Sequence, residues 1–126
     1  MVVDDDSNIR LGLSLRLRAN HYDTVNVCDG YSAIAMAQKE KPHLIILDLG
    51  LPAGDGFAVL KHLQDYPALS VIPVIVLTGR DREGNKMRSL ESGAVASFQK
   101  PADAEKLLEV IRAKLQMVWG WRGLPS

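Results

Sequence analysis

The chain has 126 residues, of which 47% are hydrophobic and 24% are charged, and this composition suits a single globular domain with one core. Its 15 basic residues balance its 15 acidic ones, so bulk charge gives no basis for a nucleic-acid or anionic-membrane partner. The one cysteine, Cys28, excludes an internal disulfide, and no apolar run reaches the roughly 18 residues of a membrane span. With no signal-peptide pattern either, we expect a cytoplasmic protein in a reducing compartment.

Short apolar runs alternate along the chain with longer amphipathic stretches, a pattern typical of a parallel α/β sheet. The third and fourth runs are continuous and apolar, so we predict central strands that are covered on both faces. The five predicted strands are Val2–Val3, Val25–Val27, Leu44–Leu47, Val74–Leu77 and Ala96–Gln99.

Three stretches between the strands have the spacing of helices that pack one face on a sheet. We expect Ala33 and Ala37 to face the core in the first of them, and Asp103 to cap the last. The three predicted helices are Ser32–Lys41, Phe57–Leu63 and Ala104–Met117.

Two further segments are harder to assign. Residues Ile9–Leu17 alternate apolar and polar side chains strictly, which by itself is a strand pattern. We predict a helix there, capped by Ser7, because two parallel strands need a crossover connection. Segment Asp81–Ser92 offers Met87 and Leu90 as its apolar anchors, so we expect it to be the most loosely packed helix.

Polar residues stand where the predicted strands end. Because the carboxyl ends of parallel strands lie at one edge of a sheet, where such folds bind ligands, we expect these side chains to share a cleft. They are Asp4, Asp5 and Asp6 after the first strand, Asp48 after the third, Thr78 and Gly79 after the fourth, and Lys100 and Pro101 after the fifth.

Carboxylates gathered in one cleft repel each other. At about 4 Å and an effective dielectric constant of about 20, each pair costs on the order of 4 kcal/mol. Mg²⁺ suits a site of one or two carboxylates with several waters, and lysine binds phosphate as a point charge. The Thr78 hydroxyl and the Gly79 amide add hydrogen-bond donors. The residues therefore indicate a metal-assisted site for a phosphoryl group.

The chain resembles a response-regulator receiver domain, the phosphoacceptor of two-component signalling. The resemblance implies a doubly wound, flavodoxin-like α/β fold with five parallel strands in the order 2-1-3-4-5 and helices on both faces. It implies a receiver domain over residues 1–117 and a tail or linker stub over residues 118–126. The matching segments are Val2–Asp6, Leu47–Pro52, Asp55–Gly56, Val76–Gly79, Gly93–Ala94 and Lys100–Pro101.

The resemblance also assigns a metal site. Asp48 would be the phosphorylated carboxylate and a ligand of Mg²⁺. Asp5 would bind Mg²⁺ directly, and Asp4 would do so directly or through water. The backbone carbonyl of Gly50 would be a further ligand.

The remaining implied roles concern the phosphoryl group and its donor. Thr78 would hydrogen-bond the phosphoryl group, and Lys100 would form an ion pair with Asp48, with a cis peptide bond between Lys100 and Pro101. The donor would be a phosphohistidine on a sensor histidine kinase or phosphotransfer protein. We also expect a homodimer through the 81–116 face and no direct contact with nucleic acid or membrane.

The chain departs from the family pattern at several positions. Ser97 stands where the family has an aromatic switch residue, and Phe98, one residue later, points to the opposite face of the strand, which predicts a core role. Met1 leaves two residues for the first strand, so we expect a truncated or misassigned start. Gly50 and Arg80 flank the cleft at positions that tune phosphate lifetime in the family.

Two alternatives follow from these departures. A pseudo-receiver would keep the fold as an interaction module without switching, which Ser97 favours. A phosphohydrolase with an aspartyl-phosphate intermediate would need a second aspartate two residues after the nucleophile, where this chain has Gly50. We further expect Cys28 to be a buried small residue, the three histidines to be structural or surface residues, and Trp119 and Trp121 to form either an interaction patch or a collapsed tail.

Overall fold

Five parallel strands form one sheet in the order β2-β1-β3-β4-β5, which confirms the predicted fold class. The computed structural model describes residues 1–52, 55–79 and 85–119. The strands are β1 (Val2–Val3), β2 (Asn26–Val27), β3 (Ile45–Asp48), β4 (Val74–Thr78) and β5 (Ala96–Gln99). The helices are α1 (Ser7–Ala19), α2 (Gly30–Glu40), α3 (Asp55–Asp65), α4 (Pro67–Ser70), α5 (Asn85–Glu91) and α6 (Ala104–Trp119).

The sheet register fixes the positions of the acidic residues. Val3 in the interior strand β1 pairs with Leu47 in β3, so the residues that follow them, Asp4 and Asp48, lie side by side. Asp48 in turn pairs with Leu77, one residue before the end of β4. The carboxyl edge of the sheet therefore brings distant segments of the chain together.

Alternate residues of each strand face two separate apolar layers. One layer joins Val3, Leu47 and Val76 to α2 and α3. The other joins Val2, Ile46 and Ile75 to α1 and α6. Ala33 and Ala37 are fully buried, as predicted, and the Asp103 carboxylate caps α6 by accepting from the amides of Glu105 and Lys106 at 3.0 and 3.2 Å.

Helix α1 is confirmed in spite of its alternating sequence. Leu13 and Leu17, four residues apart, pack on the sheet, whereas Leu11 and Leu15 are 58% and 61% exposed. The predicted cap was wrong: Asp6 rather than Ser7 caps the helix, accepting hydrogen bonds from the amides of Asn8 and Ile9. Asp6 has the extended backbone that a capping residue needs, while Ser7 is already helical.

Two other expectations were wrong, and one element was not predicted. Met87 and Leu90 do not anchor α5, because they are 65% and 41% exposed and the buried residue of the helix is Ser89. Cys28 is exposed, because it lies just beyond the end of the edge strand β2. The short helix α4 was not predicted.

The C-terminal helix is longer than predicted. Helix α6 continues to Trp119, two residues past the expected end at Met117. Residues 120–126 of the predicted tail, Trp121 among them, lie outside the described residues, as do Arg80 and residues 81–84 of the Asp81–Ser92 segment. Within the described ranges, no helix combines the length and the apolar character that crossing a bilayer requires.

Gly56 lets α3 pack directly on the segment that carries Asp48. A Cβ atom at Gly56 would lie 2.5 Å from the Cα of Leu49 and 2.7 Å from the carbonyl oxygen of Asp48. We expect Gly56→Ala to lower the free energy of unfolding by about 1–3 kcal/mol through overpacking. The matched control is Gly12→Ala in α1, where an added Cβ atom meets nothing within 4 Å. This substitution should raise the free energy of unfolding by about 0.5–1 kcal/mol. Urea denaturation measures both, and equal effects would contradict the packing argument.

Candidate functional site

Lys100 joins the acidic residues at the carboxyl edge of the sheet. Its Nζ atom lies 2.8 Å from Oδ2 of Asp4 and 3.2 Å from Oδ1 of Asp48. The backbone amide of Lys100 donates to the carbonyl of Thr78 at 2.7 Å, so the lysine starts at the end of β4 and extends toward β3 and β1. The Lys100–Pro101 peptide bond is cis, as the resemblance implies. A single ammonium group, carried by the residue after β5, thus contacts carboxylates at the ends of β1 and β3.

Asp4 is held by hydrogen bonds on every side. It is 1% exposed, its Oδ1 accepts from the Asp6 amide at 2.9 Å, and its Oδ2 accepts from Lys100. Its carbonyl oxygen accepts from Nη1 of Arg10 at 2.6 Å, and its amide donates to Val27. Each carboxylate oxygen retains a second lone pair. Asp4 is therefore a fixed acceptor at the base of the site.

Arg10 is a site residue that the sequence analysis missed. It lies in the first turn of α1, four residues after Asp6. The backbone amide of Arg10 donates a hydrogen bond to the carbonyl of Asp6. A signal was present, since an arginine one helical turn after three consecutive aspartates can fold back over them. Periodicity cannot reveal such a contact, because the contact depends on the direction of one long side chain.

Asp48 is buried at the end of β3. Its Oδ1 accepts from the Gly50 amide at 2.8 Å and from Lys100. Burial raises the pKa of the carboxyl group, and the negative charge of Asp4 raises it further, while the Gly50 hydrogen bond and Lys100 act in the opposite direction without cancelling the rise. The carboxylate form of Asp48 is therefore less stable here than in water.

Lys100 shows the complementary effect. Burial alone would lower the pKa of its ammonium group, but hydrogen bonds and charges from Asp4 and Asp48 outweigh burial and raise the pKa above its ordinary value. Lys100 therefore stays fully charged at neutral pH and offsets part of the negative charge of the two aspartates.

The three aspartates could hold a metal ion. Asp4, Asp5 and Asp48 each offer a carboxylate oxygen, and these oxygens lie within 4.8 Å of one another. Asp5 is exposed, so an ion could reach it from solvent. All donors are hard oxygen atoms, which fits Mg²⁺ or Ca²⁺ better than a softer metal. The described residues thus fit the predicted type of metal centre.

Of the other predicted site residues, Thr78 and Gly79 lie at the same edge and Ser97 lies within the sheet. Thr78 ends β4 and is 3% exposed, and Gly79, which follows it, is exposed. Ser97 pairs with Val76 in the sheet and is half-buried. Phe98 packs in the opposite layer beside Leu77, which confirms the prediction of a core role.

The fold and the site together define a class of protein: a doubly wound parallel α/β domain with a lysine-bridged carboxylate cluster at the carboxyl edge of its sheet. The sequence model described as the response regulator receiver domain matches residues 1–112, and the chain belongs to this family.

The relatives are consistent with this assignment. The chain is 40% identical over 114 residues to the response regulator PleD of Caulobacter vibrioides, covering 90% of this chain and 25% of PleD. It is 31% identical over 115 residues to the protein PilH of Pseudomonas aeruginosa, covering 91% of this chain and 95% of PilH. It spans a quarter to about half the length of the first curated relatives that it matches.

Solved structures show the same fold. A putative response regulator from Chloroflexus aurantiacus superposes with a TM-score of 0.85 at 28% identity, covering 90% of this chain and 93% of the other. The signal receiver domain of a signal transduction histidine kinase from Syntrophus aciditrophicus superposes with a TM-score of 0.85 at 32% identity, covering 93% of this chain and 89% of the other.

The raised pKa of Asp48 leads to a prediction about stability. The folded state holds this proton to higher pH than the unfolded state, so ionisation of Asp48 costs stability as pH rises from its ordinary value of 3.8 through the folded pKa. We expect Asp48→Asn to raise the free energy of unfolding at pH 7 by about 0.5–2 kcal/mol, as measured by urea denaturation, and we expect this gain in stability to shrink toward pH 4. Asp23→Asn, at an exposed loop position, is the control and should leave stability unchanged. A gain that does not depend on pH would contradict the burial argument.

Proposed function

We propose that this receiver domain accepts a phosphoryl group on Asp48 from a phosphohistidine of a sensor histidine kinase or phosphotransfer protein. The observation that carries the proposal is the Lys100 ammonium group, which contacts both Asp4 and Asp48 beside the exposed Asp5. The cluster combines an acceptor carboxylate, a fixed cation and oxygen ligands for a divalent ion. We place the reaction in the cytoplasm, where an exposed thiol such as that of Cys28 stays reduced.

The proposed step is a transfer between two nucleophiles. A carboxylate oxygen of Asp48 attacks phosphorus, the phosphorus–nitrogen bond breaks, and the bonding electron pair stays on the imidazole nitrogen of the donor. Asp48 must be ionised to attack, and Lys100 supports the ionised form. Asp5, Asp48, Asp4 and the Gly50 carbonyl would hold Mg²⁺, which when bound neutralises charge on the phosphoryl oxygens.

Residues around Asp48 would then hold the product. Lys100 already reaches Oδ1 of Asp48 and can pair with a phosphoryl oxygen on the same side chain. Thr78 supplies a hydroxyl and Gly79 an amide at the end of the neighbouring strand. Because Asp4 is also bonded to the Asp6 amide, its carboxylate stays in place when Lys100 turns toward the phosphate.

Gly50 leaves space beside the acceptor carboxylate that a side chain would fill. A Cβ atom at this position would lie 3.2 Å from Oδ1 of Asp48, so a side chain would crowd the reacting group. Without one, water can approach the acyl phosphate, and the domain would catalyse its own slow dephosphorylation. We propose a signalling module whose chemistry is confined to its own phosphorylation and dephosphorylation.

Phosphorylation can be tested with a small phosphodonor. We expect acetyl phosphate and Mg²⁺ to add one phosphate to the chain, as measured by intact-protein mass spectrometry. Asp48→Asn removes the nucleophile and should abolish the added mass, and EDTA should reduce it strongly. Asp23→Asn keeps the site and should be modified like the original chain. A phosphate that persists on Asp48→Asn would contradict the assignment.

The output surface is proposed to lie on the 81–116 face. In the described part of this face, Met87, Leu90 and Val95 expose apolar side chains that a second copy of the chain could cover. The alternative is a pseudo-receiver that binds its partner constitutively. Ser97 favours this alternative, because it has no aromatic ring to reorient when Asp48 is modified.

Dimerisation discriminates between the two functions. We expect beryllofluoride with Mg²⁺, a phosphoryl mimic, to promote dimers in sedimentation experiments, and Met87→Glu to weaken the dimer about tenfold or more, which corresponds to about 1.4 kcal/mol. Leu11→Glu is the matched control, because Leu11 is similarly exposed but lies on α1. An unchanged sedimentation profile at saturating mimic would favour the pseudo-receiver.

A further inference from the structure

Helix α5 is attached to the body of the domain by small and polar side chains. Its two large apolar residues, Met87 and Leu90, point largely into solvent. The buried residue is Ser89, whose hydroxyl donates to the carbonyl of Lys86 within the same helix at 2.8 Å. A seven-residue helix with so little apolar burial has little packing energy to hold it in one position.

One specific contact links α5 to the neighbouring helix. The guanidinium carbon of Arg88 lies 3.8 Å from the centre of the Phe57 ring in α3. A planar guanidinium stacked on an aromatic face gains both electrostatic attraction and contact area. Phe57 is half-buried and packs against the apolar layer beneath it, whereas Arg88 is largely exposed. The ring is thus the fixed partner, and the arginine is the partner that can leave.

Phe57 is coupled through the backbone to the phosphoacceptor. Its neighbour Gly56 lies so close to the carbonyl oxygen of Asp48 and the Cα of Leu49 that no side chain would fit between them. A shift of the Asp48–Leu49 segment therefore has to move the first turn of α3, because close-packed backbone cannot absorb it. The Phe57 ring, one residue later, moves with this turn.

The other phenylalanine cannot serve this purpose. Phe57 and Phe98 are the two phenylalanines of the chain. Phe98 packs in the layer on the opposite face of the sheet, and Ser97, on the face that carries Val76, has no ring. Of the two phenylalanines, Phe57 in α3 is therefore the one that can link Asp48 to α5.

We propose that the Arg88–Phe57 stack couples the state of Asp48 to α5. The two states are a helix held by the stack and a helix whose Arg88 is released to solvent. Phosphorylation of Asp48 shifts the first turn of α3 and changes the balance between these states. The proposal rests on the proposed function, since it concerns how phosphorylation at that site reaches the output surface.

Hydrogen exchange of the α5 amides tests the coupling. We expect saturating Mg²⁺ and beryllofluoride to change exchange in the original chain by about threefold or more, within the range that a cation–π contact can supply. Phe57→Leu and Arg88→Gln should each reduce this response to under about 1.5-fold, and the double variant should lose no more than either single one. Phe57→Tyr keeps the ring and should retain the response.

Matched controls separate the stack from general effects. Phe98→Leu makes the same change in the opposite layer, and Arg112→Gln removes an exposed arginine from α6, so both should respond like the original chain. The affinity for beryllofluoride, measured by titration, should stay within about threefold in all variants.

The possible results have distinct meanings. The coupling proposal is overturned if the original chain binds the mimic and α5 does not respond, if Phe57→Leu and Arg88→Gln keep the full response, or if Phe98→Leu loses it equally. If the original chain neither binds the mimic nor accepts phosphate on Asp48, the proposed function itself is wrong and the coupling falls with it.

Discussion

The ion pairs of Lys100 with Asp4 and Asp48 are the interaction on which the site depends. Both carboxylates are almost fully buried, and removing such charges from water costs several kcal/mol for each ion. Their mutual repulsion adds to this cost. A single ammonium group, still 20% exposed, opposes both effects and at the same time joins the ends of β1, β3 and β5. The geometry of the carboxylate cluster therefore depends on the position of one lysine.

Much of this arrangement could be predicted from the sequence because the site residues stand where the predicted strands end. Asp4 and Asp48 each directly follow an apolar run and Lys100 directly follows the fifth predicted strand, and parallel topology then brings them to one edge. The strand order came from the family resemblance, since local periodicity does not define which strands are neighbours. The contact of Arg10 with the Asp4 carbonyl was missed because it depends on one side-chain direction. The exposure of Cys28 was missed because nothing local marks β2 as the edge strand.

The helices show a different limit. In α1 every second residue from Ile9 to Leu17 is apolar, yet only Leu17 of the leucines in the described helix falls below one-tenth exposure, so the sequence holds more leucine than the fold buries. In α5 the apolar residues are again on the outside, and a serine faces the core. Apolar periodicity predicts that apolar residues lie in the interior, and this prediction is wrong wherever apolar side chains are exposed on the surface. The same residues that mislead the prediction of packing are the ones that mark surfaces available to partners.

The stabilisation of ionised Asp48 is incomplete, which bears on the proposed function. Burial keeps the pKa of Asp48 raised even with Lys100 and the Gly50 amide beside it. In the proposed function, a divalent ion held by Asp4, Asp5 and Asp48 would add positive charge that favours the carboxylate form of Asp48. A phosphoryl group on Asp48 would then add negative charge next to Lys100, while Asp4 also accepts a hydrogen bond from the Asp6 amide. That added charge would fall on the Asp48 segment, against which Gly56 and the start of α3 are packed without space for an added methyl group.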